Sequence, residues 1–174
     1  LGTFVSHTGL FMRPVFALAR EVPAGRKRVV YTEGEDERVL RAAQQAYDDG
    51  IAEPILVGRP DIIEARIQKL GLHVHVDGGF EVIDAENDPR FRAYWETYHQ
   101  CMARDGISPD AAKIAVRRSN TIIGALAVRL GDADAMICGL IGNYDKHLEA
   151  VHNVIGTQPG QKFAALNALM LEKQ

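Results

Sequence analysis

The chain has 174 residues, 47% of them hydrophobic and 25% charged, which suits one globular domain and excludes a disordered tail or a mini-protein. Lys and Arg total 20 against 23 Asp and Glu, so a net charge of -3 gives no electrostatic reason for a nucleic-acid or anionic-membrane partner. No apolar run approaches the roughly 18 residues of a membrane span, the opening residues lack a signal-peptide layout, and Cys101 and Cys138 read as free thiols of a reducing, cytoplasmic setting.

Residues 1–22 are expected to be an apolar, partly helical connector from a preceding domain, with Phe4, Phe11, Val15, Phe16 and Leu18 docking on this domain or on a neighbour. Lys27 to Tyr31 reads as a strand, and Thr32 with Glu35 has the form of a capping box opening a helix over about 35–49, stopped by Gly50. Pro54 to Val57 is a second strand, followed by a helix from Pro60 to Leu70 before Gly71. His73 to Asp77 and Phe80 to Asp84 are either short strands around Gly78-Gly79 or an irregular crossing loop.

Asp88 is the expected N-cap of a helix reaching Arg104, with Gly106 as its stop. Ser108-Pro109 opens another to about Arg118, and Ser119-Asn120 a third ending near Gly131. Ala133 to Cys138 reads as a compact apolar strand, and a last helix spans about Asn143 to Ile155. Strands alternating with helices imply an α/β fold, a mainly parallel sheet covered on both faces. The apolar run from Ala164 to Leu171 at the end, like the absence of an initial Met, reads as part of something longer.

Ligands of such sheets bind beyond the carboxyl ends of strands, here the loops at 32–34, 58–59 and 139–147. The first carries Glu33, Glu35, Asp36 and Glu37, which suit a helix N-terminus and repel phosphate. The third suits an anion better: Gly139 and Gly142 allow close backbone approach, and Asn143, Lys146 and His147 follow at a helix start. The same residues also read as a glycine-eased turn with a solvated Lys-His pair. Arg117 and Arg118 either complement a helix dipole or reach a phosphate-bearing ligand. No Walker loop, dinucleotide fingerprint or metal-ligand spacing occurs, so no metal site and no cofactor is expected within this segment.

The stretches Tyr31-Thr32-Glu33-Gly34-Glu35-Asp36-Glu37-Arg38 and Ala133-Asp134-Ala135-Met136-Ile137-Cys138-Gly139-Leu140-Ile141-Gly142, with Asn143-Tyr144-Asp145-Lys146-His147-Leu148, resemble the phosphotransacetylase-like region of large bacterial NADP-dependent malic enzymes. The lead-in Met12-Arg13-Pro14-Val15-Phe16 is similar to the link that precedes that region. The resemblance implies that residues 23–174 form the first half of a phosphotransacetylase or isocitrate dehydrogenase-like domain. It also implies a parent enzyme that decarboxylates malate oxidatively with NADP and a divalent metal, Mg or Mn.

Phosphotransacetylases interconvert acetyl-CoA plus phosphate with acetyl phosphate plus CoA. Where they carry Leu-Arg-Pro, this chain reads His147-Leu148-Glu149, losing a cation whose planar fork matches phosphate. A second family arginine falls near Met102, or at Arg104 if the alignment slides by a turn. The expected role is therefore a non-catalytic module that binds acetyl-CoA or a similar acyl-CoA, contacts the malic-enzyme domains of its own chain and assembles homo-oligomers. An active acetyltransferase half and a purely structural assembly domain are the alternatives.

Overall fold

The computed structural model describes residues 12–21, 25–76 and 78–164. The expectations for Phe4, Phe11 and the run after Ala164 lie outside them. In chain order the elements are helix α1 (12–20), β1 (Lys27–Tyr31), α2 (Glu37–Asp48), β2 (Ala52–Val57), α3 (Pro60–Leu70) and β3 (Glu81–Ile83). Then come α4 (Phe91–Met102), a 3-10 turn (Ala103–Asp105), α5 (Pro109–Arg118), α6 (Asn120–Leu130), β4 (Ala135–Ile137) and α7 (Tyr144–Val154). Of the expected connector, the described part is α1, whose Arg20 guanidinium donates to the Asp49 carbonyl.

The four strands run parallel in the order β3-β2-β1-β4, with Val30 beside Ile55 on one side and Met136 on the other. Strand alternation divides the core. Val30, Ile55, Val57 and Ile83 face α4, α5, α6 and α7 through Tyr94, Val116, Ile123, Leu126 and Val154. Tyr31 and Leu56 face α2 and α3 through Leu40, Ala43, Ile63 and Ile67. The expected α/β architecture, helices on both faces of a parallel sheet, is the one observed. Pro54 sits in β2 one residue before the pairing with β3 begins, where a missing N–H costs little.

Three local readings are corrected, and one left open is decided. Thr32 is not a cap: it is fully buried, its N–H donates to the Ile137 carbonyl at 3.1 Å, and Asp36 caps α2 by accepting from the Arg38 N–H at 2.8 Å. The strand direction continues one residue past β1, and the acidic stretch makes a turn before the helix starts. Asp88 accepts from the Arg90 N–H in a turn, and α4 begins only at Phe91. Of the strand and loop readings left open after His73, the described residues 73–76 follow the loop, with one bridge from Val76 to Phe80, His73 and Val76 donating their N–H groups to Gln44 and Glu64. β4 is three residues long rather than six.

α6 is the most enclosed helix, buried from Thr121 through Ala127. Its Gly124 makes the close approach to β1: a Cβ there would stand 2.5 Å from Thr32 Cγ2 and 3.4 Å from Met136 Cε. Gly124→Ala gains about 1 kcal/mol of helix propensity and meets an overpacking cost of about 1–3 kcal/mol. The expected outcome is a net loss of stability, read as a lowered urea midpoint with unchanged slope.

Candidate functional site

From β1 the chain steps outward to β2 and β3, then returns to place β4 on the other side of β1. The loops after β1 and β4 therefore leave the sheet in opposite directions. At that divergence lies a cleft of about 550 Å3. One wall is the turn after β1, with Thr32, Glu33, Glu35 and Asp36; the other is the segment after β4, with Ile141 and His147. This is the crevice where parallel sheets hold ligands.

The acids of the first wall are already engaged. Glu33 spans the divergence: one carboxylate oxygen accepts from the Thr32 hydroxyl at 2.8 Å and the other from the Gly139 N–H at 2.9 Å. Glu35 takes a forked pair from Arg59 at 2.9 and 2.8 Å, and Arg66 donates to the Glu35 carbonyl. The Arg59 hydrogen bonds hold the Glu35 carboxyl below its usual range against the opposing effect of partial burial. Asp36 is likewise lowered by Arg38.

The floor is built by a helix junction. Ser119, in extended conformation at φ -133 and ψ 101, closes α5 and caps α6, its Oγ accepting from the Ile122 N–H at 3.3 Å. Arg118, Ser119, Asn120 and Thr121 all open on the cleft, so a guanidinium stands beside the positive end of a buried helix. Arg117 lies elsewhere, 4.6 Å from the centroid of the Phe91 ring and 3.9 Å from Glu86.

Of the residues singled out in the sequence, His147 and Arg118 line the cleft together. Gly139 and Gly142 shape the loop at φ +94 and +109, and a Cβ on Gly142 would stand 3.1 Å from His147 Nε2. Asn143 caps α7, accepting from the Asp145 N–H at 2.8 Å, while Lys146 is exposed and outside the cleft lining. Arg66, Asn120 and Thr121 were not singled out. Arg66 enters from the body of α3 and Asn120 and Thr121 from the start of α6, away from the strand-end loops.

Burial, and secondarily Glu33, pushes the Cys138 thiol up, which opposes a nucleophilic role. His73 and His75 pair with Asp48 and Glu64 at 2.9 and 2.7 Å, and among the described residues no group of three or more His, Cys, Asp or Glu is placed to hold a metal ion. No helix of the described residues is long and apolar enough to cross a membrane.

Because the Glu35 carboxyl is lowered in the folded chain, its contribution to stability is complete above its ordinary value of 4.5 and is lost as pH falls through the lowered one. Glu35→Gln should therefore flatten the fall in unfolding midpoint on the acid side of pH 4.5, while an unaltered profile would place the acid sensitivity elsewhere.

Residues 10–174 match the family described as Phosphate acetyl/butaryl transferase. The chain is 49% identical to the NADP-dependent malic enzyme of Escherichia coli over 98% of its own length, and 48% identical to the NAD-dependent malic enzyme of Rhizobium meliloti over 99%. It spans 22% of the length of both these curated relatives. A phosphotransacetylase from Streptococcus pyogenes superposes with a TM-score of 0.75 at 26% identity, over 87% of this chain and 45% of that one. The matched fold is thus a partial one, and the chain belongs to the Phosphate acetyl/butaryl transferase family as a phosphate acetyltransferase-like region of the kind found in malic enzymes.

Proposed function

We propose that this segment binds an acyl-CoA, acetyl-CoA foremost, in the cleft between β1 and β4, and so regulates an NAD(P)-dependent malic enzyme of which it is part, without transferring the acyl group. The observation that carries this reading is the convergence of Arg118 and the α6 N-terminus on a cleft whose acids are already paired. Donors left facing the cleft suit the phosphates of a CoA ligand. Likeness to both an NAD- and an NADP-dependent enzyme leaves the coenzyme, with its divalent metal, to the rest of such a protein.

Against catalysis stand Leu148 and Glu149 at the positions where phosphotransacetylases carry arginine and proline. In the structure Glu149 lies close enough to Tyr98 for its charge, after burial, to raise the phenol further. Assembly is part of the same reading: β4 pairs only with β1 among the described residues, and Ile137 within it and Tyr144 at the start of α7 are 53% and 72% exposed. Such an edge favours burial against further domains of the same chain or a second copy. A cytoplasmic setting accompanies it.

The test is calorimetric titration of acetyl-CoA and CoA into the full-length protein, with malate-dependent reduction of NAD(P) and phosphate-dependent acetyl transfer followed in the same preparation. Binding that alters the malate rate without forming acetyl phosphate is expected, the coupling worth about 1–3 kcal/mol. Arg118→Gln should weaken binding about tenfold, while Lys146→Ala leaves it within about twofold. Acetyl phosphate formation would establish a transferase instead, and absence of binding a structural role.

A further inference from the structure

His147 is held at both ring nitrogens. Nε2 lies 2.8 Å from the Ile141 carbonyl oxygen, and Nδ1 lies 2.7 Å from Thr121 Oγ. A carbonyl can only accept, so Nε2 carries a proton in either charge state of the ring. The state of Nδ1 then dictates how Thr121 is used. With the ring neutral, Nδ1 is a bare acceptor and the Thr121 hydroxyl must donate to it, which leaves only oxygen lone pairs for anything else nearby. With the ring protonated, Nδ1–H donates to Thr121 Oγ and the hydroxyl hydrogen is released. Thr121 is 6% exposed and lines the cleft together with His147, so the released hydrogen is offered to the cleft.

We propose that Thr121 and His147 form a proton-set polarity switch in this cleft, showing an incoming anion an acceptor when the imidazole is neutral and an O–H donor backed by positive charge when it is protonated. The ligand class is a sulfate- or phosphate-type anionic group, and the biological form of the proposal rests on the acyl-CoA reading above. By linkage, binding of that anion takes up a proton at His147, and acidification tightens it.

The other charged groups facing the pair come from each wall. The turn after β1 supplies Glu33, Glu35 and Asp36, and α3 supplies Arg66. α5 supplies Arg118. On α7 itself Asp145, Lys146 and Glu149 are near neighbours of His147 in sequence. Carboxylates, guanidiniums and ammonium groups ordinarily titrate outside pH 6–8 and an imidazole inside it.

The experiment uses the full-length protein and two probes at constant ionic strength: sulfate, whose charge is unchanged from pH 6 to 8, and acetyl-CoA. Sulfate affinity, read from the shift of the unfolding midpoint with concentration, should tighten about tenfold from pH 8 to pH 6. Thr121→Val should reduce that change to within about twofold and Thr121→Ser should restore it. His147→Gln keeps a donor for the Ile141 carbonyl but cannot titrate, and should also abolish the change. If that variant fails to fold, the two Thr121 variants decide.

A pH dependence equal in wild type and Thr121→Val overturns the switch, even where acetyl-CoA binds and the acyl-CoA reading survives. A switch seen with sulfate, but no acetyl-CoA binding at any pH, upholds the switch and rejects the acyl-CoA reading. Failure of both probes to bind rejects both.

Discussion

The close contact of α6 with the end of β1 is the constraint on which the site depends. Because Gly124 has no side chain, the helix settles against Thr32 and Met136 at a distance no Cβ would permit. That approach brings the first turn of α6 level with the ends of β1 and β4. Thr32 in turn carries the β1–β4 ladder one step further through its N–H to Ile137. The floor and the first wall of the cleft are therefore two sides of a single packing contact, and the second wall joins them through Thr121 and His147.

Charge pairing explains how an acid-rich turn can face a cleft proposed to hold an anion. Glu33 is spent on Thr32 and Gly139, Glu35 on Arg59, and Asp36 on Arg38. Each carboxylate organises its own backbone turn or a neighbouring loop. A count of charges along residues 33–37 reads as repulsion, whereas the folded arrangement has directed that charge inward, into the structure of the wall.

Periodicity made the sheet and its covering helices legible: the apolar stretches at 27–31 and 54–57, with glycines such as Gly71 and Gly131 closing helices in the left-handed conformation. Starts were harder to read. Thr32 and Glu35 satisfy a capping pattern locally, yet a neighbouring strand claims the Thr32 N–H, a partner 105 residues away that no short window contains. The cleft was half legible for the same reason. His147 and Arg118 follow from loop and helix-end rules, but Arg66 and Thr121 reach the cleft from helical positions whose direction depends on how α3 and α6 pack. Arg117 and Arg118 are adjacent in sequence and equivalent in composition. The Phe91 ring and the Glu86 carboxylate, which engage the first, separate their roles.

Ser119 terminates one helix and begins the next with no residue between them. Such a joint has no slack. Two rigid rods meeting at one extended residue behave as a bell crank: a tilt of α5, whose outer face carries the Lys113–Trp95 and Arg117–Phe91 stacks on α4, must swing the first turn of α6 about the same pivot. The position of α5 against α4 is thus passed to the first turn of α6, and so to the cleft floor, with no linker to absorb a difference.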